Sequence, residues 1–480
     1  MFDLTLHPPT KPIRGAWLVC LTLLSGCAYH DQTELPKSQV PNQFEQIKSQ
    51  IGFDWQQQPI SQWWQRFDSV ELNTLFAELK SQSLDLQNAQ WVLKQTRALY
   101  KQQLSDSWPE LNASISNRNT RDFDNGTDNR SDGLNFSAGY EVDLWGQRSA
   151  AQTSAAMNYL VQQQNYRSIA LQLQSQLAQS YFTCLALRER LTIEQQNLTA
   201  STDLLQLIKF RFEAGSASRI ELDQQRNVYL SSQAQLQALQ RNLVSSERAL
   251  AILLGRPSLS VDDLHGDFKK LTVPQINALQ PAALLEFRPD VSLAEARLRE
   301  QTANVFEERK KRWPRLTISA DLSLSDLGEI SQGWSGSLVE GLTMPLFNAG
   351  RIQQQIEYAE SGLQAEQIQY QQTVLLAFND ALETLSEWQY QNRLWDIRQQ
   401  ELVNNERLYK LARLRYEAGD TDFLNLLSAQ RSWFDARNTY IQAQNNRLIT
   451  AVNVFRAMGV APDTDKEKLK SLPSDAINSP

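Results

Sequence analysis

Cysteine and histidine are scarce in this chain, three of each in 480 residues. Cys20, Cys27 and Cys184 are too few and too scattered for a disulfide framework. His7, His30 and His265 stand alone, so neither a metal cluster nor a histidine-based triad is expected, and no cofactor. There is no Gly-Lys-Ser/Thr phosphate loop, which argues against nucleotide-driven work within this chain. Positive charge is also short. A formal net charge of −7 is the wrong sign for a nucleic-acid partner. Beyond the first residues no run of 18 apolar side chains occurs, which excludes an ordinary membrane-spanning helix. The carboxylates are plentiful but sit in helix-forming sequence, where solvation is their usual role. No enzyme is expected.

The N-terminus has export grammar. Lys11 and Arg14 precede the apolar run AWLVCLTLL (16–24), and LSGC closes the segment at Cys27. The closing run resembles a bacterial lipobox, which implies cleavage after residue 26 and acylation of Cys27, an anchor that holds without spanning. Ala28, where an Asp would resemble an inner-membrane retention signal, directs export onward to the outer membrane. A plain signal peptide with a chance cysteine is the simpler alternative. Residues 27–62 are expected to be a polar tether.

The glycines reveal a duplication. Gly146, Gly215 and Gly255 recur 204 positions later as Gly350, Gly419 and Gly459, and the phrase RFEAGSASRIEL (211–222) returns as RYEAGDTDFLNL (415–426). The spans between the first and second glycine of each set are rich in Gln, Ala, Leu, Arg and Glu, all good helix formers. If unbroken, each predicts a helix about 100 Å long at 1.5 Å per residue, followed by one of about 60 Å. Helices of that length require lateral neighbours. Each repeated phrase reads as the tip of an antiparallel helical hairpin. The glycine ends one helix, and Ser218 with Glu221, or Asp422, caps the next. The repeats are placed at 63–265 and 281–460, joined by 266–280, with a charged tail at 461–480.

Before each long helix the period changes to two. Leu111, Ala113 and Ile115; Leu134, Phe136, Ala138, Tyr140, Val142 and Leu144; and Leu316, Ile318, Ala320, Leu322 and Leu324 each alternate with polar residues. A fourth run, Leu338, Leu342, Met344 and Leu346, is interrupted by Glu340. Polar loops are expected at 117–132 and 325–333, and Trp108, Trp145, Trp313 and Phe347 at the strand-to-helix ends. Strands of this length with aromatic bands fit an outer-membrane barrel, although a soluble hairpin with one buried face has the same alternation. Four strands cannot close a barrel, and lipid tolerates no open edge, so several copies must share one wall.

WWQRFDSVELNTLFAELKSQSLDLQNA (63–89), WPEL and WPRL from Trp108 and Trp313, FRPDVSLAEARL (287–298) and the two turn phrases together resemble the TolC- and OprM-like outer membrane factors, in their lipoprotein branch. The resemblance runs from about Trp63 to Gly459. It implies an α+β membrane channel, the outer membrane efflux protein fold. Three copies would form a homotrimer whose twelve-stranded β-barrel, four strands per chain, is continued by a long periplasmic α-helical barrel. The implied partners are a periplasmic adaptor (membrane fusion protein), an inner-membrane pump of the RND type, or of the ABC or MFS types, and outer-membrane lipid.

By the same resemblance the tips carry gate and docking. The gate positions are Phe212 and Tyr416, three places before each glycine, and Glu221, six places after the first. Asn425 replaces the second acid, so Asp420 and Asp422 would supply charge instead. Clustered carboxylates would repel one another and need arginines such as Arg219, Arg211 or Arg415. Gly215, Ser216, Ala217 and Ser218, with Gly419, Asp420 and Thr421, would form the adaptor-docking turns. Glu221 and Asp422 act as gates, as helix caps, or as both. The expected function is the passive outer-membrane duct of a tripartite efflux system for small molecules. The alternatives are a type I protein-export channel and a non-conducting coiled-coil lipoprotein.

Overall fold

The computed structural model describes residues 29, 31, 33–36, 62–259, 263–274, 287–325 and 333–459. Cys27, the export signal and the 461–480 tail lie outside them, as does most of the 325–333 loop.

Two 67-residue helices dominate the fold. α3 (Gln147–Glu213) and α6 (Arg351–Glu417) are each followed by a 35-residue partner, α4 (Arg219–Leu253) and α7 (Phe423–Ala457). Preceding them are α1 (Val70–Gln82), α2 (Leu84–Ser105) and, in the second half, α5 (Pro289–Lys310). Each long helix begins at a left-handed glycine, Gly146 or Gly350, where the strand direction is broken. In the first half the Asp143 carboxylate also accepts the N–H groups of Arg148 and Ser149 at 3.1 and 2.9 Å, satisfying two donors of the opening turn.

The 35-residue helices cover only half of each long helix. At their ends lies the main apolar core, where Trp63 stacks on Phe455 at 5.5 Å and Phe67 meets Phe182 at 5.0 Å, with Leu250, Leu448 and Val454 around them. The expected connector at 266–280 is tied in where it is described. Phe268 and Leu271 are buried, and Glu71 accepts the N–H groups of His265 and Gly266 at 2.6 and 2.9 Å. Arg288 of the FRPD motif is buried too. It pairs with Asp290 at 2.8 Å and Asp380 at 3.0 Å, and donates to the Ala457 carbonyl at 2.7 Å. One guanidinium therefore joins the start of α5, the middle of α6 and the end of α7.

The four strands form one antiparallel sheet in chain order: β1 (Glu110–Arg121), β2 (Asp128–Val142), β3 (Arg315–Leu324) and β4 (Trp334–Thr343). Three boundaries differ from the sequence expectation. The loop expected at 117–132 shrinks to residues 122–127, because polar residues continue the ladder as far as Arg121 opposite Asp128. Hydrogen bonding, not hydrophobicity, sets where the strand stops. β2 ends at Val142, short of Leu144, and β4 ends at Thr343, since Pro345 has no N–H to extend pairing toward Leu346.

Register gives the sheet two unlike faces. Ile115, Leu134 and Leu324 stand in one row; Leu111, Ala138, Ala320 and Leu338 in another; Leu316 faces Leu342. Between these rows the opposite face carries Asn112, Ser137, Asp321 and Ser337. At the lower end Trp145 lies 4.8 Å from Trp313 and donates to the Pro314 carbonyl at 2.7 Å.

The N-terminal segment is less free than its composition suggests. The Tyr29 N–H donates to Ser149 at 3.0 Å, its ring meets Phe306 edge-on at 4.9 Å, and Asp31 pairs with Arg299 at 3.0 Å. These described residues of the expected polar tether are fastened to α3 and α5.

Candidate functional site: the paired hairpin tips

Both tips are built alike. Gly215 and Gly419 adopt φ of 76° and 77°, a region open to glycine at little cost. At the first tip the Gly215 N–H reaches the Phe212 carbonyl at 3.0 Å and the Ser216 N–H reaches Arg211 at 2.8 Å. At the second, Gly419 reaches Tyr416 at 3.1 Å and Asp420 reaches Arg415 at 2.8 Å. These bonds satisfy the last carbonyls of α3 and α6 and reverse the chain. The next helix is capped at once. Ser218 accepts the Glu221 N–H at 3.2 Å while Glu221 accepts the Ser218 N–H at 2.6 Å, a reciprocal box. Asp422 accepts the Asn425 N–H at 2.9 Å, and Asn425 turns its amide to Thr421 at 3.2 Å.

The named arginines part company. Arg219 pairs with Asp223 at 2.9 Å on its own exposed helix face, and Arg415 pairs with Asp420 at 2.9 Å within its own turn. Arg211 alone crosses between hairpins, donating to the Tyr416 carbonyl at 3.3 Å with its guanidinium 4.7 Å from that ring's centre. Phe212 and Tyr416, equivalent in sequence, are not equivalent in space. Tyr416 is 4% exposed and packs on Phe423 at 5.9 Å in a cluster with Ile208, Val228 and Leu426, whereas Phe212 is only half-buried. Burial raises the Tyr416 phenol above its ordinary value; the Arg211 charge opposes this and the Glu221 charge adds to it. The structure thus joins Arg211 to Tyr416, with the Glu221 charge bearing on that phenol from a distance, and leaves Arg219 and Asp420 occupied locally.

Above the tips runs a polar seam that no motif disclosed. Arg437 on α7 donates to Asn197 on α3 at 2.8 Å, Asn438 reaches Glu194 at 3.4 Å, and Arg190 reaches Gln442 at 3.0 Å. Glu194 and Asn197 are buried. The seam borders a cleft of about 690 Å³ between α3, α4 and α7. The partners lie some 240 residues apart, so only their individual polarity is visible in the sequence. Among the described residues no group of acidic, histidine or cysteine side chains could hold a metal, and no helix is long and apolar enough to cross a membrane.

The outer membrane efflux protein family model matches residues 75–256 and 281–460, one match per half. The chain belongs to the outer membrane efflux protein family. The pyoverdine export outer membrane protein OpmQ of Pseudomonas aeruginosa is 31% identical over 423 residues, 85% of this chain and 89% of that one. The cation efflux system protein CusC of Escherichia coli is 26% identical over 92% of this chain and 98% of its own. A crystal structure of CusC superposes with a TM-score of 0.81 at 25% identity, covering 90% of this chain and all of that one. The open-state MtrE channel of Neisseria gonorrhoeae gives 0.81 at 22% identity, over 91% and 100%. As a family member the chain is the outer-membrane channel of a tripartite efflux system. It is a homotrimer that works with a periplasmic adaptor and an inner-membrane pump, and it extends from the outer membrane into the periplasm.

Proposed function

We propose that this efflux protein is a passive duct for small molecules, with no catalytic step of its own, closed at the tips by the contacts around Glu221, Arg211 and Tyr416. One observation carries the duct reading. Apolar and polar rows alternate across the sheet and continue through the β2–β3 junction between the two halves, broken only on β4, where Glu340 stands opposite Ile318 and Val339 opposite Ser319. A sheet that meets lipid on one side and water on the other has this pattern; a tether has no need of it. Energy would come from the inner-membrane partner. Acylation of Cys27 would add an anchor beside the docked Tyr29 and Asp31.

Relatives named for pyoverdine, cations and toluene support a small-molecule cargo, and their variety fits a lumen that selects weakly. In this reading Gly215–Ser218 and Gly419–Thr421 present the adaptor-docking turns, and Glu221, Asp420 and Asp422 contribute the negative charge at the entrance. The purified protein, reconstituted in planar bilayers, is expected to conduct in small steps at rest and in larger ones once the tips are loosened. A protein that inserts and remains silent in every tip variant would overturn the reading.

A further inference from the structure

Just above the tips the joint between the two hairpins is buried but not matched. Gln225 on α4, Gln430 on α7 and Ser201 on α3 are fully buried. Helical spacing places both glutamines on the rim of the apolar tip cluster. Gln225 stands one turn from Val228 and Gln430 one turn from Leu427, and both of those side chains pack there with Leu204, Ile208 and Tyr416. Gln225 gives its amide N–H to the Ser201 backbone carbonyl at 3.3 Å, while the Ser201 hydroxyl turns back to the Leu198 carbonyl at 2.9 Å. The side-chain oxygen of Gln225 and both amide atoms of Gln430 have no hydrogen-bond partner among the described residues.

The layers on either side are matched. Two turns further from the tip, Arg437 on α7 donates to Asn197 at 2.8 Å and its neighbour Asn438 to Glu194 at 3.4 Å. Toward the tip, Phe423, Leu426 and Leu427 of α7 share one apolar cluster with Leu204 and Ile208 of α3. Each hairpin is itself held by apolar contact, Leu187 with Leu239 and Leu243 in the first, and Tyr409 stacked on Trp433 at 4.5 Å in the second. The unmatched amides therefore lie between the hairpins and not within one. An unmatched buried amide burdens the arrangement that buries it, whereas an apolar side chain of similar shape does not. A leucine at position 430 would extend the tip cluster; the glutamine found there weakens the joint instead. Beside this layer the cleft of about 690 Å³ opens between the same three helices, with Asn227, Ser231 and Asn438 in its lining.

We propose that the Gln225 and Gln430 layer opposes closure of the tips. With Arg211 joined to Tyr416, α7 is held on α3 and α4 over amides that this arrangement leaves unmatched. When that contact is released, α7 moves off its neighbours and the two glutamines turn toward the polar lining of the cleft. A partner then has only to undo the contact at the tip, because the joint above it is already loaded toward separation. This device rests on the reading of Arg211 and Tyr416 as the closing contact and supplies what drives the tips apart once it is broken.

The test uses the full-length protein in planar bilayers, with its melting temperature measured in detergent. Gln430→Leu, and Gln430→Met as an unbranched second variant, should raise the melting temperature. Combined with Arg211→Ala, each should lower the resting leak of that variant by about tenfold, the scale of one or two unmatched buried groups. A higher melting temperature with the leak unchanged would mean that the layer affects stability alone; the proposal is then wrong and the closing contact stands. A lower melting temperature in both variants, with an equal or greater leak, would show that the Gln430 amide is satisfied in the closed tips, and would overturn the proposal as well. If Arg211→Ala itself does not leak, the closing contact is misassigned. The layer is then judged in Glu221→Ala with Asp422→Ala, whose conductance Gln430→Leu must lower by the same factor or the proposal fails.

Discussion

Arg211 in α3 and Tyr416 in α6 are joined twice, once by a 3.3 Å hydrogen bond to the tyrosine carbonyl and once by a guanidinium 4.7 Å from the ring centre. The two helices end separate hairpins, so this contact fastens one hairpin tip to the other. A half-buried cation over an aromatic face contributes about 0.5–2 kcal/mol, a scale suited to a latch that a partner protein must open.

Arg211→Ala is accordingly expected to leave folding and trimer formation intact while raising resting conductance in planar bilayers several-fold. Arg211→Lys should recover only part of the closure, because an ammonium lacks the planar stacking face. Wild-type resting conductance in Arg211→Ala would remove this residue from the gate.

Glu221 separates two roles by a single substitution. Glutamine can still take the Ser218 N–H in a capping box, but it carries no charge. If Glu221 only completes the capping box of α4, Glu221→Gln should behave as wild type while Glu221→Ala loses about 0.3–1.5 kcal/mol. If its charge guards the entrance, Glu221→Gln should lower cation selectivity as much as alanine does, and Glu221→Ala with Asp422→Ala should make the tips leaky. Reversal potentials in a salt gradient, with antibiotic sensitivity of cells, distinguish these outcomes.

Gly215 and Gly419 have open space where a Cβ would sit, so the cost of substitution is purely backbone. Gly215→Ala and Gly419→Ala should each destabilise the tip by about 1–2 kcal/mol, the penalty of a side chain in the left-handed region. Hydrogen exchange should show the loss confined to the last turns of α3 and α6 and the first turns of α4 and α7.

Arg288→Ala should be the most damaging of these changes, costing about 3 kcal/mol, because it leaves the Ala457 carbonyl without its donor and Asp380 with Arg456 as its remaining partner. Arg288→Lys should rescue little, since a single ammonium cannot span three partners. Thermal unfolding in detergent would read this directly, with channel conductance of the surviving trimers unchanged.

Glu300 gives a pH dependence. Burial raises its carboxyl above the ordinary value, and the nearby Glu366 charge adds to this, while Asn158 and Arg297 oppose it. The folded state therefore favours the protonated acid. Its contribution is most favourable below the unfolded value and is lost as pH rises through the raised folded value. Glu300→Gln keeps an acceptor for Asn158 and should flatten the melting temperature across that window, with a net gain at neutral pH.

Much of this was legible in the sequence because it is local. Glycines at fixed spacing set the ends of α3 and α6, Ser218 and Asp422 cap within three residues, and alternation names the faces of β1 to β4. The strand ends within 117–132 are not legible in the sequence, because hydrophobicity marks the lipid boundary while hydrogen bonding sets the strand. The difference between Phe212 and Tyr416 was invisible, since a duplicated sequence does not say which copy of a residue is buried.

The sequence by itself determined the repeat, the hairpins and a sheet with two unlike faces, since those follow from backbone preferences and periods only a few residues long. Only the tertiary structure decided that Arg211 meets Tyr416, that Arg437 meets Asn197, that Arg288 joins three helices and that Tyr29 and Asp31 are docked. Several of these contacts join residues more than 200 positions apart, and each depends on how helices about 100 Å long lie side by side. No local propensity fixes that arrangement; packing does.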